Sequence, residues 1–153
     1  MKVNVNKSFI YPLVYLLLLT TMYALDDCVQ YFPRPSTNNF SIVIDKSGSM
    51  SGRAMNDAIN AVENFINKMR IDDKANIIVF DTYVSVLSDF TSSKGQLKDA
   101  VRKIRPGSST ALYDGIAKSA SSLRDAVGSK IIIFLTDGRD NKSRFKLKDI
   151  RNM

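Results

Sequence analysis

Phe40-Ser41-Ile42-Val43-Ile44-Asp45-Lys46-Ser47-Gly48-Ser49-Met50 reads as a buried strand running abruptly into a polar turn. The β-branched run Ile42-Val43-Ile44 predicts a strand covered on both faces, as in a parallel sheet. Outward from it, apolar residues at Met55, Ala58, Ile59, Val62, Phe65, Ile66 and Met69 fall on one face of a helix, which Asp72-Asp73 interrupt. Asn76-Ile77-Ile78-Val79-Phe80 and Tyr83-Val84-Ser85-Val86-Leu87 follow as strands. Only Asp81-Thr82 lie between them, too little chain for a parallel crossover, so this pair is antiparallel. Ser93-Lys94-Gly95-Gln96 matches a capping box, opening a helix that buries Leu97, Ala100, Val101 and Ile104 before Pro106-Gly107. A third helix is expected to bury Leu112, Ile116, Ala120, Leu123 and Val127 and to stop at Gly128. The apolar strand Ile131-Ile132-Ile133-Phe134-Leu135 then ends in Thr136-Asp137-Gly138.

Apolar strands alternating with amphipathic helices predict an α/β fold: a doubly wound, Rossmann-like, mostly parallel sheet with one antiparallel edge strand. In such sheets ligands bind at the carboxyl ends of the strands, where the loops carrying Asp45 and Asp137 face each other. The 153-residue chain allows one compact domain. Its composition excludes whole classes of chemistry. Without histidine there is no Ser-His-Asp or Cys-His catalysis and no histidine-held zinc. The single cysteine, Cys28, builds neither an internal disulfide nor a thiolate cluster, so metal chemistry here must use oxygen ligands. The net charge of +7 invites an acidic partner. Its cations fall mostly on expected helix faces, with no aromatic-interleaved basic motif, so nucleic acid is not an expected partner.

Residues 8–25 carry no charge, with Lys2 and Lys7 before them and Asp26-Asp27 after. This polarity fits a signal peptide or signal anchor over residues 1–25, an N-terminal hydrophobic helix. Its length is near the lower end of the about 17–25 residues of a membrane span. Met22 makes a cut after Ala24 unfavourable, which favours an uncleaved membrane anchor. The remainder is then membrane-anchored or secreted, with the domain on the extracytoplasmic side. Residues 26–39, with Pro33 and Pro35, read as a linker, and the folded domain is expected over 40–153. Asn39-Phe40-Ser41 and Asn141-Lys142-Ser143 match glycosylation acceptors, a short pattern that also arises by chance.

Asp45, Ser47 and Ser49 place a carboxylate and two hydroxyls at alternate positions of one turn, so that three oxygens converge while Gly48 bends the backbone. Thr110 precedes the third helix, and Asp137 brings a second carboxylate from the neighbouring strand end. Each has an ordinary alternative: Ser49 or Thr110 as a helix cap, Asp137 as a turn former, Asp45 as a strand-end acid. Their joint placement on facing loops favours a site for a hard dication such as Mg²⁺ or Mn²⁺.

The run from Ile42 to Met50, Thr110, and Phe134-Leu135-Thr136-Asp137-Gly138 resemble the von Willebrand factor type A domain and its metal-ion-dependent adhesion site. The family's elements, Asp-x-Ser-x-Ser, a threonine and a later aspartate, are all present and in order across residues 40–153. The resemblance implies that Ser47, Ser49 and Thr110 bind the metal directly while Asp45 and Asp137 act largely through water. It implies a binding function, not turnover, in which the Mg²⁺ or Mn²⁺ accepts an Asp or Glu carboxylate of a partner protein. Members continue past the Asp137 strand with a helix and further strands, whereas this sequence stops at Met153, so the expected domain lacks its last strands and the Ile131 strand forms an apolar edge. Two other functions compete with this one. A Mg²⁺-dependent phosphoryl-transfer enzyme would use Asp45 as nucleophile but wants a carboxylate where Ser47 stands. An assembly factor working with an ATPase would be intracellular, against the leader.

Overall fold

The computed structural model describes residues 37–151. The leader, Cys28 and most of the linker lie outside the described residues, and among those described no helix is long and apolar enough to cross a membrane. Strand β1, Asn38–Asp45, starts two residues before the Phe40 at which the folded domain was expected. A single 3-10 turn, Gly48–Met50, leads to helix α1, Arg53–Lys68. There follow β2, Lys74–Phe80, β3, Val84–Thr91, and α2, Lys94–Arg102. Helix α3 is Leu112–Leu123, β4 is Ser129–Leu135, and a short α4, Leu147–Arg151, closes the described chain.

The four strands lie in the order β3-β2-β1-β4. β1 pairs parallel with β2 and with β4, and β2 pairs antiparallel with β3, so the sheet is mixed with one antiparallel edge. Alternation along β1 and β2 sorts their side chains between two layers. Ile42, Ile44, Ile77 and Val79 pack with the apolar stripes of α1 and α2, including Met55, Val62, Ile66, Leu97 and Val101. Val43, Ile78 and Phe80 point to the opposite layer, with Leu112 of α3 and Phe134 of β4. Helices therefore cover both faces, as doubly wound sheets require. The cations at Lys94 and Arg102 serve the fold: Lys94 Nζ donates to the carbonyls of Asn67 and Met69 at the end of α1, and Arg102 pairs with Glu63.

Two local expectations need correction. Ser93 caps α2 by accepting from Gln96 N–H, but Gln96 does not return the bond: Thr91 Oγ1 accepts from Ser93 N–H and donates to Gln96 Oε1, so only half of the capping box forms. β4 is, as expected, an apolar sheet edge among the described residues and leaves Ile131 and Ile132 exposed. Helix α3 ends at Leu123, leaving Val127 outside it and 89% exposed. Its inward stripe is Gly115, Ser119 and Leu123, with Ile116 and Ala120 only half-buried. Leu123 belongs to both stripes, so the buried face shifts toward Gly115 and Ser119 by less than the turn of one residue, about 100°. Close approach to the sheet explains it, since a Cβ on Gly115 would lie 3.1 Å from Phe80 Cδ1.

That approach carries a polar seam. Ser41 and Asn76 are register neighbours on the α3 side of β1 and β2, and Ser41 Oγ, Asn76 Oδ1 and Ser119 Oγ are buried with no hydrogen-bond partner among the described residues. A buried hydroxyl without a partner carries a desolvation cost of about 1–3 kcal/mol and returns nothing. Ser119→Ala is therefore expected to leave the denaturant midpoint unchanged or to raise it. A loss above about 1 kcal/mol in chemical unfolding would show instead that the hydroxyl is bonded in solution.

Candidate functional site

Three loops meet at the carboxyl end of the sheet. Lys46 N–H donates to Phe80 O at 2.9 Å, and Gly48 N–H donates to Ser108 O at 3.0 Å. These bonds fasten the turn after β1 to the end of β2 and to the loop before α3. The Lys46 ammonium also pairs with Asp81. Burial raises the Asp81 pKa, but hydrogen bonds from Lys46 and from the Tyr83 N–H outweigh it, and the carboxyl is held below its usual range.

Asp45 is fully buried at the floor of this cleft. Its Oδ1 accepts from Ser47 N–H at 2.8 Å, and its Oδ2 accepts from Thr136 Oγ1 at 2.6 Å. Above it, Ser47 Oγ lies 3.2 Å from Ser49 Oγ, which donates to Asp137 Oδ1 at 2.9 Å. Ser47 is buried, while Ser49 and Asp137 are exposed at the mouth. Gly138 lies between the third loop and the floor: a Cβ there would be 3.4 Å from both Asp45 Oδ2 and Thr110 Oγ1. The structure thus brings Asp45, Ser47, Ser49, Thr110 and Asp137 to one place.

The ordinary alternative for the hydroxyls does not hold. The 3-10 turn, α1 and α3 have Ser47, Gly52 and Ala111 at their N-caps, and none receives a side-chain capping bond there. The free amides of α3 are met from across the chain: Leu112 N–H by Asp140 Oδ1, and Tyr113 and Asp114 N–H by Ser143 Oγ. Thr110 N–H goes to Asn141 Oδ1 at 3.0 Å. Asp114 in turn accepts from the backbone of Arg144 and Phe145. Sequence reading missed these clamps and the role of Thr136. No local pattern announces a cap supplied from some thirty residues away, although Thr136 stood within the quoted motif.

An open α/β sheet with helices on both faces, whose loop-end hydroxyls and carboxylates converge at the carboxyl ends of the strands, is of the doubly wound class. The chain belongs to the von Willebrand factor type A family, whose domain pattern matches residues 40–139. It is 32% identical over 126 residues to inter-alpha-trypsin inhibitor heavy chain H3 of Mus musculus. It is 26% identical over 130 residues to heavy chain H2 of Homo sapiens. These alignments cover 74% and 76% of this chain but 14% of each relative, so the chain spans a small part of their length. Among solved structures, the vWF domain of the type V pili tip protein Mfa5 from Porphyromonas gingivalis matches with a TM-score of 0.69 at 22% identity, covering 76% of this chain and 44% of that one. Proximal thread matrix protein 1 of the mussel byssus matches at 0.66 and 19%, covering 77% and 33%. At these identities the structures share the fold.

Proposed function

We propose that this chain is a metal-dependent protein-binding domain in which Asp45, Ser47, Ser49, Thr110 and Asp137 hold Mg²⁺ or Mn²⁺ for an acidic residue of a partner protein. The observation that carries this is the Ser47–Ser49–Asp137 chain of oxygens standing over the buried Asp45 carboxylate. The donors fit such an ion: all are hard oxygens, three are neutral hydroxyls, and few carboxylates are needed by a small dication that keeps some of its water. Ser47, Ser49 and Thr110 are direct ligands, with Asp45 and Asp137 acting through water. Bound there, the under-neutralised dication supplies an attachment point for a carboxylate. Exposed Ser49 and Asp137 leave the mouth open to a partner, and the net charge of +7 favours an acidic one.

Membership of the von Willebrand factor type A family supports an interaction role. Phosphoryl transfer is disfavoured because Asp45 is fully buried at the floor of the cleft and Ser47 stands where a second carboxylate is wanted. The leader over residues 1–25 places the domain on the extracytoplasmic side, secreted or membrane-anchored, which disfavours an intracellular role beside an ATPase.

Thermal unfolding of the chain in chelator and then in Mg²⁺ or Mn²⁺ tests the reading. At a cation concentration one-hundred-fold above its dissociation constant, the native state gains about 2.7 kcal/mol, a rise of about 10 °C in midpoint for a domain of this size. A cooperative transition that ignores both cations would remove the mechanism and leave the fold.

A further inference from the structure

The fold treats the Asn-x-Ser patterns at Asn39 and Asn141 in opposite ways, while a third, Asn6-Lys7-Ser8, lies outside the described residues. Asn39 lies within β1, 5% exposed, and its Nδ2 donates to Val127 O at 2.9 Å and Ser129 O at 3.4 Å. The nitrogen that would carry a sugar is therefore committed inside the domain. Asn141 is exposed on the loop after β4. Its Oδ1 accepts from Thr110 N–H at 3.0 Å, and its own N–H donates to Thr110 O at 3.0 Å. Its Nδ2 makes no hydrogen bond among the described residues. A glycosylated asparagine keeps its amide oxygen, so the bond that holds Thr110 survives modification.

We propose that Asn141 is an N-glycan acceptor, that Asn39 is not one in the folded protein, and that the glycan stands beside Thr110 at the rim of the candidate site. The inference rests on the extracytoplasmic location proposed above. The co-substrate is a lipid diphosphate-linked oligosaccharide. Nδ2 loses a proton and bonds to the anomeric carbon while the anomeric C–O bond to the diphosphate breaks, and the lipid diphosphate leaves with the electron pair. Nothing is oxidised or reduced. Transfer takes place on the extended chain, and folding then selects, because a chain carrying sugar on Asn39 cannot close β1 against Val127 and Ser129. A glycan anchored one hydrogen bond from Thr110 excludes flat partner surfaces and favours an acidic residue on a projecting loop.

The test uses the full chain, expressed in cells that glycosylate exported proteins, with its own residues 1–25 and separately with a borrowed cleavable secretion signal in their place. Gel mobility is compared before and after treatment with an enzyme that removes N-glycans. One glycan is expected on the exported protein. Ser41→Ala, which deletes the Asn39 pattern without costing a hydrogen bond, should leave it, and Asn141→Asp, which keeps the oxygen for Thr110 N–H, should abolish it. Export behind the borrowed signal with no shift, or a shift that persists in Asn141→Asp, overturns the proposal. A shift seen only with the borrowed signal upholds the acceptor and overturns the extracytoplasmic reading.

Discussion

Asp45→Asn is expected to erase the Mg²⁺- and Mn²⁺-dependent rise in thermal midpoint while leaving the metal-free midpoint equal to, or above, that of the unchanged chain. The two halves of this result have different causes. Asp45 is fully buried, and its bonds in the structure come from two neutral donors, Ser47 N–H and Thr136 Oγ1. A buried carboxylate held only by neutral groups costs several kcal/mol of desolvation that the fold must offset elsewhere, a situation that suits an ion site. Asparagine keeps an oxygen for Ser47 N–H and turns an amide N–H toward Thr136 Oγ1, so packing survives while the charge goes. The metal response, about 2.7 kcal/mol at one-hundred-fold saturation, should disappear with it. Calorimetry of both chains in chelator and in each cation separates the outcomes. A variant that still gains stability from metal would place the ion elsewhere. One that loses stability without metal would give the carboxylate a structural role.

The parts of the site that were legible in the sequence are those where one short stretch carries both backbone and chemistry. A β-branched run broken by Asp45 must be a strand end, and Ser47 and Ser49 at alternate positions must share a side of the following turn. Asp81-Thr82 left room only for an antiparallel return, and β2 and β3 are antiparallel, with Tyr83 also in the turn. What was not legible depends on absent atoms or on distant residues. Apolar periodicity assigns α3 to Ile116 and Ala120, since a glycine and a serine contribute no hydrophobic signal. The sheet nonetheless selects the small stripe at Gly115 and Ser119 because it permits the shorter distance. The loop from Asp140 to Phe145 reads as basic and polar, yet it caps α3 and fixes the Thr110 backbone from 28 to 31 positions away.

Phe80→Ala should be among the most damaging single changes, and it shows why that short distance matters to the site. Phe80 is fully buried; its ring centroid lies 5.4 Å from that of Phe134, and its edge is where a Gly115 side chain would be. Truncation is expected to cost about 3–5 kcal/mol, from a total that for domains is about 5–15. The thermal midpoint should fall by about 12–20 °C. The ring wedges α3 against the end of β2, and Thr110 enters the cleft from the loop that α3 anchors. A cycle in denaturant unfolding isolates this contact. Gly115→Ala alone should destabilise, because its Cβ would meet the ring at 3.1 Å. In a Phe80→Leu background the space opens on that side, and the same methyl should cost less, with a favourable coupling of about 0.5–3 kcal/mol. Additive losses would mean that Gly115 is required by the backbone of α3 itself, and that the position of Thr110 does not depend on the Phe80 ring.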